Sequence, residues 1–296
     1  MFDVLANFFG YILNFLYNFV QNYGLAIILF SVLLKVVMLP ITIKQLSSMK
    51  KTAALQDELN KLKVKYKNNP ELLNKETMAV YKREKVSPFS GCLGTILQIV
   101  IFLSVFYLVS RPLTYMKKVD PQVISEYEQQ VSEEGKKSSY QEIQIIELKS
   151  QEDERVSINM DFLGLNLSKV PMQNWQDFRV FVIPALYVIT TFINITITTN
   201  MNKTKQQREK EKHAKELAKN KNKDGEEDNS NTEEETLESM QQMTKGMNYM
   251  MPIMSVGIAL IAPLGLSLYW LVSNVLQLLE RIIINKVTEK KEKEDA

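Results

Sequence analysis

"AIILFSVLLKVVMLPI", Ala26–Ile41, is apolar except for Ser31 and Lys35. A bilayer core needs about 20 apolar residues of helix, and this run with its flanks supplies them. Lys35 stands near the middle, where a lysine costs about 2.5–3.5 kcal/mol on insertion scales. At 1.5 Å per residue Lys35 lies about 14 Å from Lys44, where basic residues begin, and a lysine stem reaches about 6 Å. Two readings are open. Either the ammonium snorkels under a locally thinned bilayer, or it faces a hydrated cavity inside a helix bundle. Ser31 is four residues earlier and shares its helix face.

The rest of the chain alternates in the same way between apolar and charged blocks. Of 296 residues, 24% are charged and 45% hydrophobic, and the net charge is +2. That charge is too small to point to a nucleic-acid partner. The single cysteine, Cys92, excludes an internal disulfide and a multi-cysteine metal site. His213 is the only histidine and sits in a charged run, so no histidine-based catalytic or metal cluster is expected. Neither metal nor cofactor is called for, and nothing suggests an enzyme.

Five apolar segments qualify as spans: Gly24–Ile43, Gly91–Val109, Phe178–Thr199, Gly246–Ala262 and Leu264–Ile284. The last two meet at "IAPLG" and form a tight helical hairpin. The expected fold is all-α: five transmembrane helices with long loops. Residues 1–23 are aromatic, rich in Asn and free of Lys or Arg. They lack the basic start of a signal peptide and fit a helix lying in the membrane interface, although a sixth span is also open.

Lysine and arginine set the orientation. Lys44, Lys50, Lys51, Lys61, Lys63, Lys65, Lys67, Lys75, Lys82, Arg83 and Lys85 crowd the first loop. Residues 44–88 are therefore expected in the cytoplasm, with the N-terminus outside. Residues 110–177 then form an acidic outside loop, residues 201–245 a charged cytoplasmic loop and residues 285–296 a cytoplasmic tail. Within 44–88, Leu55, Leu59, Leu62 and Tyr66 make one helical stripe, and Leu72, Leu73, Val80 and Tyr81 a second. Asn69 is placed to cap the second helix, with Pro70 at its first position. The expectation is an antiparallel helical hairpin. The stretch Lys117–Asn159 is rich in Glu, Gln and Ser and is expected to be partly ordered at best. Residues 202–238 run from basic to acidic and read as a solvated linker.

Further polar residues fall inside the spans: Gln98 in the second, Thr190, Thr191 and Asn194 in the third, Ser273, Asn274 and Gln277 in the fifth. No acid stands mid-span opposite Lys35; Glu280 falls near the cytoplasmic end. An unpaired lysine stays charged only where water reaches it. These residues together suggest a polar, water-accessible groove of net positive charge.

Several blocks resemble the YidC/Oxa/Alb family of membrane protein insertases. They are "GLAIILFSVLLKVVMLPITIKQ" (Gly24–Gln45), "MAVYKREKVSPFSGCLGTILQIVIFLSVFY" (Met78–Tyr107), "FLGLNLSKV" (Phe162–Val170), "MNYMMPIM" (Met247–Met254) and "PLGLSLYWLVSNVLQLLE" (Pro263–Glu280). Their order is that of the family. The resemblance implies five helices around a hydrophilic groove, and an ATP-independent chaperone that inserts nascent membrane proteins into the bacterial plasma membrane. It implies nascent membrane proteins, the Sec translocon, the ribosome and the lipid bilayer as partners. The tail Lys286–Ala296 carries four lysines against four acids, so ribosome binding through it is expected to be weak. By position, Lys35 matches the family's groove cation, usually an arginine; a lysine lacks the planar bidentate fork. Ser31, Gln98 and Trp270 match substrate-facing or groove-lining positions, with a lipid-facing role open for Trp270. Cys92 falls in the block as a packing residue. Six methionines, Met240, Met243, Met247, Met250, Met251 and Met254, crowd the fourth span and read as packing or as a soft client surface. The competing class is a channel or transporter for an anionic solute with Lys35 as its binding site. The absence of a repeat and of mid-span carboxylates argues against it.

Overall fold

The computed structural model describes residues 2–66, 69–84, 90–133, 138–197 and 256–294. Among the described residues the fold is helical with one two-stranded hairpin. α1 is Phe2–Val20 and α2 is Tyr23–Ala54; α3 is Gln56–Lys65 and α4 is Pro70–Arg83. α5 is Ser90–Ser110, α6 is Pro121–Glu133 and α7 is Gln141–Lys149. The hairpin pairs β1, Asp161–Phe162, with β2, Leu165–Asn166. α8 covers 182–197, α9 is described over 256–261, and α10 is Leu264–Glu294.

Among the described residues, three helices are long and apolar enough to cross a bilayer: Tyr23–Lys44, Phe178–Ile197 and Leu264–Ile284. They coincide with the first, third and fifth expected spans. The second span appears as α5, whose apolar part is the shorter Ile96–Ser110. Most of the fourth, Gly246–Ala262, lies outside the described residues, as do residues 202–238 and all six of the methionines between 240 and 254. The expected count of five thus rests on the sequence for its second and fourth members.

α1 buries Ala6, Phe9, Gly10, Leu13 and Tyr17, one stripe at helical spacing. Val4, Phe8, Tyr11, Phe15 and Phe19 cover its opposite side and are exposed. Both ends of α1 are tied to the same end of the bundle. Near its start, the Tyr115 hydroxyl donates to Asp3 at 2.5 Å and Lys118 donates to Asn7. Near its end, the Asn159 N–H donates to the Tyr17 hydroxyl at 2.8 Å. The helix therefore lies across the bundle end and does not run its length. A Cβ at Gly10 would fall 1.8 Å from the Tyr115 carbonyl oxygen, so only glycine admits this crossing.

The hairpin seals the same end. Leu163 and Gly164, both at positive φ (51° and 77°), form its turn. Phe162 presses on Gly24. Asn22 caps α2 by accepting from the Leu25 N–H at 3.0 Å, and its amide donates to the Asp161 carbonyl at 2.6 Å. The first N–H groups of α10, at Leu264 and Gly265, donate to the carbonyls of Lys169 and Leu167 at 2.9 and 3.0 Å. Helix starts leave such donors without internal partners; here one loop satisfies those of two helices and locks them side by side.

The stretch 117–159 is more ordered than its composition suggested. α6 and α7 pack on each other, and Ile124, Val131, Ile143, Ile145, Ile146, Val156 and Ile158 are buried in a core continuous with the bundle. A few isoleucines and valines at helical spacing suffice, because the outer ends of the bundle supply the other wall. α3 and α4 form the expected hairpin: Leu59 and Val80 are buried, and Arg83 pairs with Glu58 at 2.5 Å. Asn69 caps α4 by accepting from the Leu72 N–H at 3.1 Å, with Pro70 at the first position.

Candidate functional site

Packing is uneven along the bundle. In α2, Tyr23, Gly24, Ala26, Ile27, Phe30 and Ser31 are buried, whereas none of residues 32–44 is. In α10, every residue from Leu264 to Trp270 is buried, whereas across 271–284 Glu280 alone is. The bundle is close-packed beside the hairpin and loosens toward the opposite end. Lys35 sits just beyond the boundary.

Lys35 is paired. Its ammonium lies 2.5 Å from Glu280 Oε2, and the two side chains are 28% and 5% exposed. This corrects the expectation that Lys35 lacks an acidic partner. The reason is register. α2 and α10 both start at the sealed end, and Glu280 lies sixteen residues along α10 where Lys35 lies twelve along α2. The difference is about 6 Å of rise, within reach of a lysine stem. Glu280 Oε1 is buried and has no hydrogen-bond partner.

Ser31 is 3% exposed and its hydroxyl donates to the Ile27 carbonyl at 2.7 Å. Gln98 is exposed on α5. Trp270 is 6% exposed; it stacks on Phe102 at 5.9 Å with planes 13° apart, and meets Tyr187 at 6.0 Å. The indole N–H is buried and has no acceptor. Of the four residues chosen from sequence, Lys35 joins a charged pair at the boundary, Trp270 an aromatic stack joining α5, α8 and α10, Ser31 is buried against its own helix, and Gln98 stands exposed apart from them. Phe102 and Tyr187 were not singled out by sequence, although both fall on the buried or stacking faces of their helices. Cys92 lies in α5 in a part whose side chains are outside the described set.

The other intramembrane polar groups hold helices together. The Asn194 amide donates to the Asn274 carbonyl at 3.0 Å, and the Asn274 amide donates to the Thr191 hydroxyl at 2.6 Å. The Ser267 hydroxyl donates to the Ala259 carbonyl at 3.1 Å, joining α9 to α10. In hydrocarbon such bonds have little competition from water and act as interhelical glue. Thr191, Asn194 and Asn274 therefore belong to packing between α8 and α10.

On the hairpin side, Glu142 is buried and accepts from the Thr114 N–H at 2.9 Å and the Thr114 hydroxyl at 2.6 Å. Burial pushes its carboxyl above the ordinary value, and the Thr114 bonds pull partly the other way. Among the described residues, no group of histidine, cysteine or acidic side chains is arranged to hold a metal.

Residues 15–292 match the family model described as 60Kd inner membrane protein. The chain belongs to that family, the YidC/Oxa family. A membrane protein insertase YidC of Fusobacterium nucleatum subsp. nucleatum is 40% identical over 106 residues, 36% of this chain and 52% of that protein. One of Caldanaerobacter subterraneus subsp. tengcongensis is 39% identical over 105 residues, 36% of this chain and 51% of that protein. One of Syntrophus aciditrophicus is 46% identical over 94 residues, 32% of this chain and 17% of that protein. The matched part spans about half the length of the first two relatives. Family membership and the apolar helices make this a multi-pass protein of a bacterial membrane.

Proposed function

We propose that the chain is a membrane protein insertase and folding chaperone. It acts without ATP and not as an enzyme, on nascent membrane proteins in the plasma membrane. The observation that carries the reading is the asymmetry of the bundle. One end is closed by the hairpin and α1; toward the other, packing loosens around a partly exposed lysine. Moving a hydrophilic tail across about 30 Å of hydrocarbon is costly. A bundle that opens to the cytoplasm and to lipid, holds water beside Lys35 and is shut outside shortens that path. The client's tail enters the open half while its apolar segment passes into lipid, and burial of that segment drives insertion.

In this reading the sealed end faces outside, α1 lies in the outer interface and α3–α4 stands in the cytoplasm. The resemblance adds the Sec translocon and the ribosome as partners, the latter bound weakly by the tail. Gln98, exposed on α5, contacts the client from one side of the opening, and Ser31 lies behind it, buried and bonded to the Ile27 carbonyl. Trp270 supports Phe102 from behind, so Phe102 reaches the client first.

The test is insertion of a radiolabelled single-span protein into liposomes containing the full chain, with photo-cross-linking residues at positions 98 and 102. Protease protection and cross-links at these positions are expected. Anion flux without protection would overturn the proposal.

A further inference from the structure

We infer that Glu280 sets which client tails the Lys35 site accepts, holding the ammonium as an internal carboxylate with which an acidic client residue must compete. The inference rests on the insertase reading above. Its first support is the burial pattern. Along residues 271–284 of α10 only Glu280 is buried, in a stretch where packing is otherwise loose. The Lys35 ammonium lies 2.5 Å from it.

The second support is the asymmetry within the pair. The Glu280 side chain is sheltered at 5% exposure, whereas the Lys35 side chain is 28% exposed. An ammonium has three donors, and one is directed to Oε2. A client carboxylate arriving at the open side meets a cation already neutralised, and a second negative charge close by. Like charges sharing one site repel, so the empty site discriminates against acidic tails more than an unpaired lysine would. The third support is Glu280 Oε1, buried without a hydrogen bond. A carboxylate with one oxygen unsatisfied is held less firmly than one fully donated. Glu280 is therefore a competitor that can be displaced, not a permanent lock.

The experiment uses the full chain in liposomes and two single-span test proteins whose leading tails differ only in carrying two Asp or two Asn. Inserted fractions are read by protease protection, and each variant's folding is followed by thermal unfolding in the same liposomes. Glu280→Gln is expected to raise the ratio of acidic-tail to neutral-tail insertion about fivefold, the scale of one partly exposed ion pair. The swap Lys35→Glu with Glu280→Lys keeps the pair but presents the carboxylate on the exposed side, and is expected to lower the ratio below that of the wild type. If Glu280→Gln fails to fold, the swap carries the test. A ratio unchanged in the folded variants would overturn the role of Glu280. Failure of the wild type to insert either tail would instead overturn the insertase reading.

Discussion

Removing one member of the Lys35–Glu280 pair strands the other charge in a poorly solvated place. Loss of one partner of a buried pair costs about 3–5 kcal/mol. Because Lys35 is partly exposed, Lys35→Ala is expected near or below the lower end, at about 2–3 kcal/mol. Adding Glu280→Gln should recover most of it. Unfolding of the four members of this cycle in lipid measures the coupling, and additive effects would show that the pair contributes nothing. Lys35→Arg should keep both the pair and insertion. Lys35→Glu sets two carboxylates together and should lose folded protein as well as acidic clients. Glu142 gives a pH-dependent case. Its folded-state value lies above the ordinary 4.5, so the folded form binds the extra proton. Its linkage contribution is full below about pH 4.5 and is lost as pH rises through the folded value. Protection of the amides of residues 113–117 and 141–149, corrected for the intrinsic pH dependence of exchange, should be greater near pH 4.5 than at pH 7, and Glu142→Gln should flatten that difference. Lys35 was legible as an anomaly within its own segment. Glu280 was not, because its pairing depends on how two helices far apart in the chain start at a common loop.

At the scale of elements, local chemistry was legible and crossings were not. The Asn69–Pro70 cap follows from residue types alone, and Asn69→Ala should cost α4 about 1 kcal/mol. Faster amide exchange confined to Pro70–Arg83, with the bundle unchanged, would register it. Gly10 carried no such signal. Its role comes from α1 crossing the Tyr115 carbonyl, a contact set by the π-helical turn Leu113–Lys117 after α5. Gly10→Ala forces the crossing apart and should cost about 1–3 kcal/mol, as overpacking does. The change should appear as lost protection in α1 and in residues 113–117 together; loss in α1 alone would mean that the crossing is not what glycine secures. α6 and α7 were misjudged from their polarity for the same reason. Their few apolar residues find a wall in the bundle, and composition does not report a wall contributed by other segments.

For the whole molecule, the direction of the asymmetry is what any insertion mechanism depends on. On the proposed orientation the basic residues of 44–85 put α3–α4 in the cytoplasm, with the hairpin, α1, α6 and α7 at the opposite end of the bundle. On that orientation the sealed end faces outside and the loose end faces the cytoplasm. If the orientation were reversed, Lys35 would open toward the compartment that holds no nascent chains. The single cysteine makes the point measurable. In a Cys92→Ser background, Glu154→Cys lies after α7 and Lys61→Cys in α3, both at exposed positions. A membrane-impermeant maleimide added to intact cells should label the cysteine at 154 fully and the one at 61 only after permeabilisation. The reverse pattern would place the seal on the wrong side and remove the physical basis for insertion from the cytoplasm.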